Sequence, residues 1–112
     1  MILAHNSTSL KYLLESSRDL QWGLTISAAG NLLIEPNTSY PNWSLHPNKY
    51  LFLQEKGRIL DEYQLIYISQ GKGYFVSKNY KKTEIHAGNL FILFPGEWHS
   101  FGPERKSGWH EH

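Results

Sequence analysis

A period-two alternation of apolar and polar residues recurs along much of the chain, and it predicts short β-strands rather than helices. Residues 63–69 carry the clearest example, because Tyr63, Leu65 and Tyr67 would all lie on one face of an extended strand. Shorter stretches of the same character predict further strands at residues 21–27, 32–35, 50–54, 74–77, 83–86 and 108–112.

The apolar run at residues 90–94 is the stretch around which the predicted sheet is organised. It is too short for a helix and is followed by Pro95, so it predicts a fully buried strand. Proline cannot donate to a sheet ladder, and the strand should therefore end at this position. The chain would then present Trp98, His99 and Phe101 at the mouth of the body that the strands build.

Residues 7–19 are the only stretch in which helical spacing is credible. Leu10, Leu13 and Leu14 would share one face of a helix there. The apolar stripe is narrow, which predicts a short helix packed on the outside of the body. This helix would belong to a peripheral arm made by residues 1–20.

Glycine and proline mark the predicted connections between the strands. Gly30 with Asn31 predicts a turn, and residues 71–73 predict a bend between two strands. Residues 36–48 form a long polar connection that also carries aromatic side chains, Trp43 among them. These side chains either pack over the open end of the body or form a lid on a pocket.

Many short strands with frequent turns and one peripheral helix predict an all-β sandwich or barrel. At 112 residues the chain is expected to form one domain. The net charge of +1 gives no broad electrostatic case for binding nucleic acid or an anionic membrane. There is no cysteine, no run long enough to cross a bilayer and no secretory signal, so a cytoplasmic protein is expected.

Six histidines in a small β protein raise the question of a metal site. His110 and His112 are spaced so that both imidazoles would lie on one side of a strand, and His99 could add a third ligand. A strand at the end of the chain holds ligands poorly, however, because metal-binding histidines need an ordered set of supporting groups. The pattern therefore predicts no metal and no cofactor.

Aromatic residues give a more informative signal. If the alternation holds, six of them reach one interior: Tyr63, Tyr67, Phe75, Trp98, Phe101 and Trp109. Such walls with a few polar groups suit a sugar, whose C–H faces stack on rings. The same residues would equally make a filled aromatic core, and the pattern leaves both alternatives open.

Two glycine-containing motifs resemble those of the cupin fold, a double-stranded β-helix or jelly roll. The sequence from Gly88 through Pro95-Gly96 to His99 is similar to the second cupin motif. The stretch that begins at Gly57 is similar to the first motif, with Tyr63 and Leu65 in place of its metal-binding histidines. Of the usual ligand set only His99 remains, so the resemblance implies a cupin without a metal.

Residues 92–102 and 108–112 resemble, more specifically, the N-terminal effector-binding domain of AraC/XylS-type transcription regulators. The likeness is convincing over residues 51–112. It implies that a small molecule, often a sugar, binds inside the jelly roll. It also implies a homodimer, with control of DNA through a C-terminal helix-turn-helix domain that these 112 residues do not contain.

The family's pocket positions fall on Phe101 and Glu111, and the same alignment points Trp109 inward and His110 outward. The expected ligand-binding residues, from the resemblance and the aromatic pattern together, are Trp43, Tyr63, Tyr67, Trp98, His99, Phe101, Trp109 and Glu111.

Two other classes of function remain as alternatives. A metal-dependent cupin enzyme, such as a sugar isomerase or a dioxygenase, would need at least two ligands beside His99. A carbohydrate-binding module of a secreted protein would need a signal peptide. The prediction is therefore a non-enzymatic sensing domain without membrane contact.

Overall fold

A computed structural model describes residues 9–38 and 56–112. Its seven strands form one antiparallel sheet, in which the order β1-β2-β7-β3-β4 is completed by β5 and β6, both paired with β3. The elements are β1 (Ser9–Tyr12), α1 (Ser17–Leu20), β2 (Ala28–Ile34), β3 (Gln64–Ser77), β4 (Thr83–His86), β5 (Leu90–Leu93), β6 (His99–Pro103) and β7 (Trp109–Glu111).

The 14-residue strand β3 is the axis of the fold. Along one edge it pairs first with β5 and then with β4, and along the other it pairs with β7 and then β6. Gly71 and Gly73 lie where its partners change. A Cβ on Gly73 would lie 2.1 Å from the carbonyl oxygen of Gly102, and one on Gly71 would lie 2.2 Å from that of Gly108. The glycines therefore let β6 and β7 approach the backbone of β3, and the bend predicted at 71–73 is instead a continuous part of one strand.

The core lies on the inner side of this sheet. Strand alternation turns one face of β2, β3, β4, β5, β6 and β7 inward, and the buried cluster consists of Leu32, Ile34, Ile68, Phe75, Ile85, Phe91, Leu93, Phe101 and Trp109. The all-β, cupin-type class predicted from the sequence is thus confirmed. In the described part of the chain, the helix is too short to cross a bilayer.

The helix predicted at residues 7–19 is wrong in position and length. Over Ser9–Tyr12 the chain pairs with β2 instead, so strand pairing overrides the helical spacing of the leucines. Within residues 9–38 and 56–112, helical structure is limited to the single turn of α1, which begins where Ser16 and Asp19 form a reciprocal capping box. Leu14, assigned to the apolar stripe, is 99% exposed.

Two predictions around β2 also fail. Residues 21–27 alternate as a strand would, but they lie outside any strand, and Trp22 is exposed. Gly30 and Asn31 lie within β2 rather than in a turn. A Cβ on Gly30 would meet the Ser9 carbonyl oxygen, so this glycine serves the close approach of β1.

The run at 90–94 forms a strand as predicted, but only one of its faces is buried. Phe91 and Leu93 face the core, whereas Leu90, Ile92 and Phe94 are exposed. The strand predicted at 50–54 and most of the 36–48 connection lie outside the described residues.

Candidate functional site

The segment before β3 is attached to the first residue of β6, which is the buried His99. Arg58 and His99 form an antiparallel bridge, with backbone N–H to carbonyl distances of 2.9 and 3.0 Å. Their side chains meet as well, because Arg58 Nε donates to His99 Nε2 over 3.0 Å. Arg58 Nη2 donates to Gln64 Oε1 over 3.1 Å, and the guanidinium lies 5.6 Å from the Phe101 ring centroid.

These contacts determine the protonation state of His99. Since an arginine can only donate, Nε2 is the acceptor and the proton lies on Nδ1, which is 3.2 Å from the Glu97 carbonyl oxygen. Burial, followed by the charge of Arg58, lowers the pKa of His99 from 6.5 to about 4. His99 is thus a neutral imidazole at physiological pH. Both of its nitrogens make hydrogen bonds within the protein, which matches a structural histidine better than a ligand-binding one.

Metal binding at His99 is disfavoured by the same geometry. A metal ion on Nε2 would occupy the position beside the Arg58 guanidinium, which is itself a cation. In residues 9–38 and 56–112, no three His, Cys, Asp or Glu side chains are grouped so that they could hold a metal ion.

Trp98 holds the same segment from the rim. Its indole Nε1 donates to the Lys56 carbonyl oxygen over 2.8 Å. The ring lies against Gly57, whose φ is +66° and whose Cβ, if present, would be 2.5 Å from the indole. The half-buried Trp98 therefore leaves part of its surface at the mouth of the barrel.

Behind this rim the interior is occupied by stacked and edge-on aromatic rings. Phe101 is central, with centroids 6.0 Å from His99, 5.4 Å from Phe91 and 6.3 Å from Trp109. Phe75 continues the series at 5.0 Å from Phe91. Of the two alternatives that the sequence left open, these contacts favour a packed aromatic core in this part of the barrel.

The side chains of β7 and of His112 after it alternate between the inner and the outer face of the sheet. Trp109, His110 and Glu111 are all buried, so spacing rather than burial assigns the faces, and it puts Glu111 on the same side as the core residue Trp109. His110 and His112 lie on the outer side with ring centroids 4.4 Å apart. His110 contacts Asn31 Oδ1 at 3.0 Å, and burial, together with the neighbouring His112, lowers its pKa.

Tyr63 and Tyr67 do not reach the interior, and that prediction is wrong. They alternate with Gln64, Ile66 and Ile68, and it is this second set that turns toward the core. The inward face of β3 is thus opposite to the one expected. Trp43 lies outside the described residues.

An open hollow of about 600 Å³ lies between the residues that follow Arg58 and the turn that ends β5. The segment leading to β3 forms one wall, the Pro-Gly turn forms the other, and Gly96 N–H donates to the Leu60 carbonyl oxygen over 2.7 Å. The hollow is lined by Ile59, Leu60, Asp61, Pro95 and Gly96.

Arg58, Gln64 and Asp61 were missed by the sequence reasoning. Arg58 immediately follows Gly57 in the first cupin-like stretch, and this proximity was the only signal available. Its contacts with residues 41 positions later depend on the fold.

Comparison with known proteins gives a match to one protein family. A family model described as AraC-like ligand binding domain matches residues 50–112. No curated protein matches the chain, and no solved structure matches it. The matched residues include every strand from β3 onward and both walls of the hollow.

Proposed function

The chain belongs to the family of AraC-like ligand-binding domains, and on that premise we propose that it senses a sugar-like effector and controls DNA binding as a homodimer. It is a ligand-sensing regulatory domain that takes a small-molecule effector. The observation that carries this conclusion is the family match over more than half of the chain. Sugar specificity, dimerisation, DNA control and a cytoplasmic location are the parts that we add.

The proposed effector site is the open hollow between residues 59–61 and the Pro95-Gly96 turn, together with Trp98, which follows that turn by two residues. The hollow has a volume of about 600 Å³ and is open to solvent, so a ligand in it would be enclosed on two sides only. Trp98 offers a partly exposed indole face, and Asp61 offers an exposed carboxylate among apolar neighbours. An aromatic face next to hydrogen-bonding groups is the combination that sugars require.

Some residues expected from the sequence take a supporting part in this proposal. Phe101 and His99 hold Arg58 in place and are themselves almost inaccessible. The buried Glu111 and Trp109 lie further inside, so an effector would reach them only by entering the barrel.

The proposed signal is a shift of the segment that ends at β3. Lys56, Arg58 and Leu60 are attached to the rim by three separate groups: Trp98, His99 and Gly96. An effector in the hollow would contact both this segment and the Pro-Gly turn. It would then favour one arrangement of the two, and the dimer and a C-terminal helix-turn-helix domain would respond to that arrangement.

A thermal-shift screen of the 112-residue protein against mono- and disaccharides tests the effector class. We expect a sugar to raise the melting temperature of the wild type, and to raise it much less in Trp98→Ala or Asp61→Asn. Trp22→Ala is the matched control, because it removes an exposed tryptophan far along the chain from the rim.

Two results would contradict this proposal. If no sugar in the screen changes the melting temperature, the effector is of another class. If a sugar stabilises the wild type, Trp98→Ala and Asp61→Asn equally, the sugar binds elsewhere in the domain.

A further inference from the structure

The side chains of β3 and β5 that point away from the core form a continuous apolar surface. Leu65 lies opposite Ile92 and Tyr67 lies opposite Leu90 in the register of the two strands. Directly opposite residues share one face of a sheet. The outer apolar face, as we call it, consists of Tyr63, Leu65, Tyr67, Leu90, Ile92 and Phe94.

The side chains of this face are packed sideways against each other. The Tyr63 and Phe94 rings meet edge to face with centroids 5.6 Å apart. At the other end, Tyr67 lies 6.0 Å from the ring of His112. The face is therefore one surface rather than six isolated side chains.

Its size is unusual for a surface in contact with water. The six side chains are each 41–65% exposed, and at about 200 Å² for a fully accessible side chain of this kind they present about 640 Å². The largest apolar patch on a typical monomer is about 300–600 Å², and larger ones mark interaction sites.

Its composition is also that of the centre of a protein interface. Aromatic residues supply half of the positions, and no charged residue is present among the six. Interface centres are enriched in tyrosine and phenylalanine and depleted in lysine, aspartate and glutamate. Tyrosine suits such a position because its ring can be buried while its hydroxyl remains hydrated at the edge.

We propose that two copies of this chain associate through the outer apolar face, each copy presenting the same surface to the other. This inference rests on the homodimer of the proposed function and assigns its surface. Two copies of the face would bury about 1,300 Å², which lies near the lower end of the range of about 1,200–2,000 Å² for specific interfaces. A two-fold arrangement is the usual one for a surface that pairs with itself.

Sedimentation of charge variants tests the surface. Tyr63 and Tyr80 are both 65% exposed, but Tyr80 lies in the turn after β3, outside the face. Wild type and Tyr80→Glu should be dimers at high micromolar concentration. Tyr63→Glu and Leu65→Glu should be monomers whose circular dichroism still shows a folded β protein.

Thiol labelling distinguishes a second copy from other occupants. The chain has no cysteine, so Leu65→Cys and Tyr80→Cys each carry a single thiol. The maleimide labelling rate of Leu65→Cys should fall several-fold as protein concentration rises, while that of Tyr80→Cys stays constant. Protection that does not depend on concentration would mean that another segment of the same chain covers the face, and would overturn the proposal.

The remaining outcomes separate this inference from the proposed function. A Leu65→Glu protein that is still a dimer would overturn the surface and leave dimerisation intact. A wild type that stays monomeric would overturn both the surface and the proposed dimer. Neither result bears on the sugar-dependent thermal shift, which is a separate measurement with its own variants and control.

Discussion

The buried, neutral imidazole of His99 should make the domain lose stability in mild acid. In the unfolded chain this group titrates near 6.5, whereas in the folded protein its pKa is lowered to about 4. Between these values the unfolded state binds more protons, so stability rises with pH. The contribution is complete above about pH 6.5 and is lost as the pH falls toward 4.

The size of this effect follows from the two pKa values. Each tenfold difference in proton affinity corresponds to about 1.4 kcal/mol, so the full difference amounts to about 3 kcal/mol. That is a large part of the total stability of about 5–15 kcal/mol that is typical of a domain. The variant His99→Gln separates this effect from other acid-sensitive groups. Glutamine can still accept a hydrogen bond from Arg58, but it does not titrate.

Urea unfolding between pH 4 and 7.5 provides the measurement. The free energy of unfolding of the wild type should decrease by up to about 3 kcal/mol more than that of His99→Gln over this interval. The control His86→Gln removes an exposed histidine from β4 and should retain the wild-type dependence. Equal losses in wild type and His99→Gln, or a pKa near 6.5 for His99 in an NMR titration, would refute the assignment of a neutral, Arg58-bound imidazole.

Two further predictions concern packing and use matched pairs of variants in urea unfolding. Gly73→Ala should cost about 2 kcal/mol or more, because its Cβ would collide with the Gly102 carbonyl oxygen and the Trp109 ring. Gly88→Ala, at φ +93° with open space around it, should cost only about 1–2 kcal/mol of backbone strain; a smaller loss at Gly73 would contradict the close approach of β6. On β5, Leu93→Ala should cost about 2–5 kcal/mol and Leu90→Ala much less at low protein concentration, since Leu93 is buried and Leu90 exposed. Similar losses at the two leucines would mean that both faces of β5 are covered.

The sequence predicted the presence of β3 and β5 because their patterns are local. It could not predict which face of β3 turns inward, because Tyr63, Leu65 and Tyr67 are as apolar as Ile66 and Ile68. Burial is decided by what the strand packs against, and that information is distributed over distant residues. For the same reason, the unbroken apolar run of β5 suggested burial on both sides.

The candidate site was predictable only in part. The motif around His99 located the rim of the barrel and identified Trp98 and Phe101 as its aromatic neighbours. It did not show that Arg58 would occupy His99 Nε2, since that contact joins residues 41 positions apart. The strand at Ser9–Tyr12 illustrates the opposite limit, because Leu10, Leu13 and Leu14 have helical spacing, yet pairing with β2 makes residues 9–12 a strand.

The length of β3 has a consequence for how the domain folds and opens. Four strands between residues 83 and 111 pair with this single segment, and one of them, β7, pairs with β2 as well. The strands from β3 onward should therefore open as one unit, and the β3 amides should exchange with solvent only when that whole unit unfolds. Because these pairings join distant parts of the chain, folding should be slow for a protein of this size, and nothing after β3 should gain persistent structure before β3 is in place.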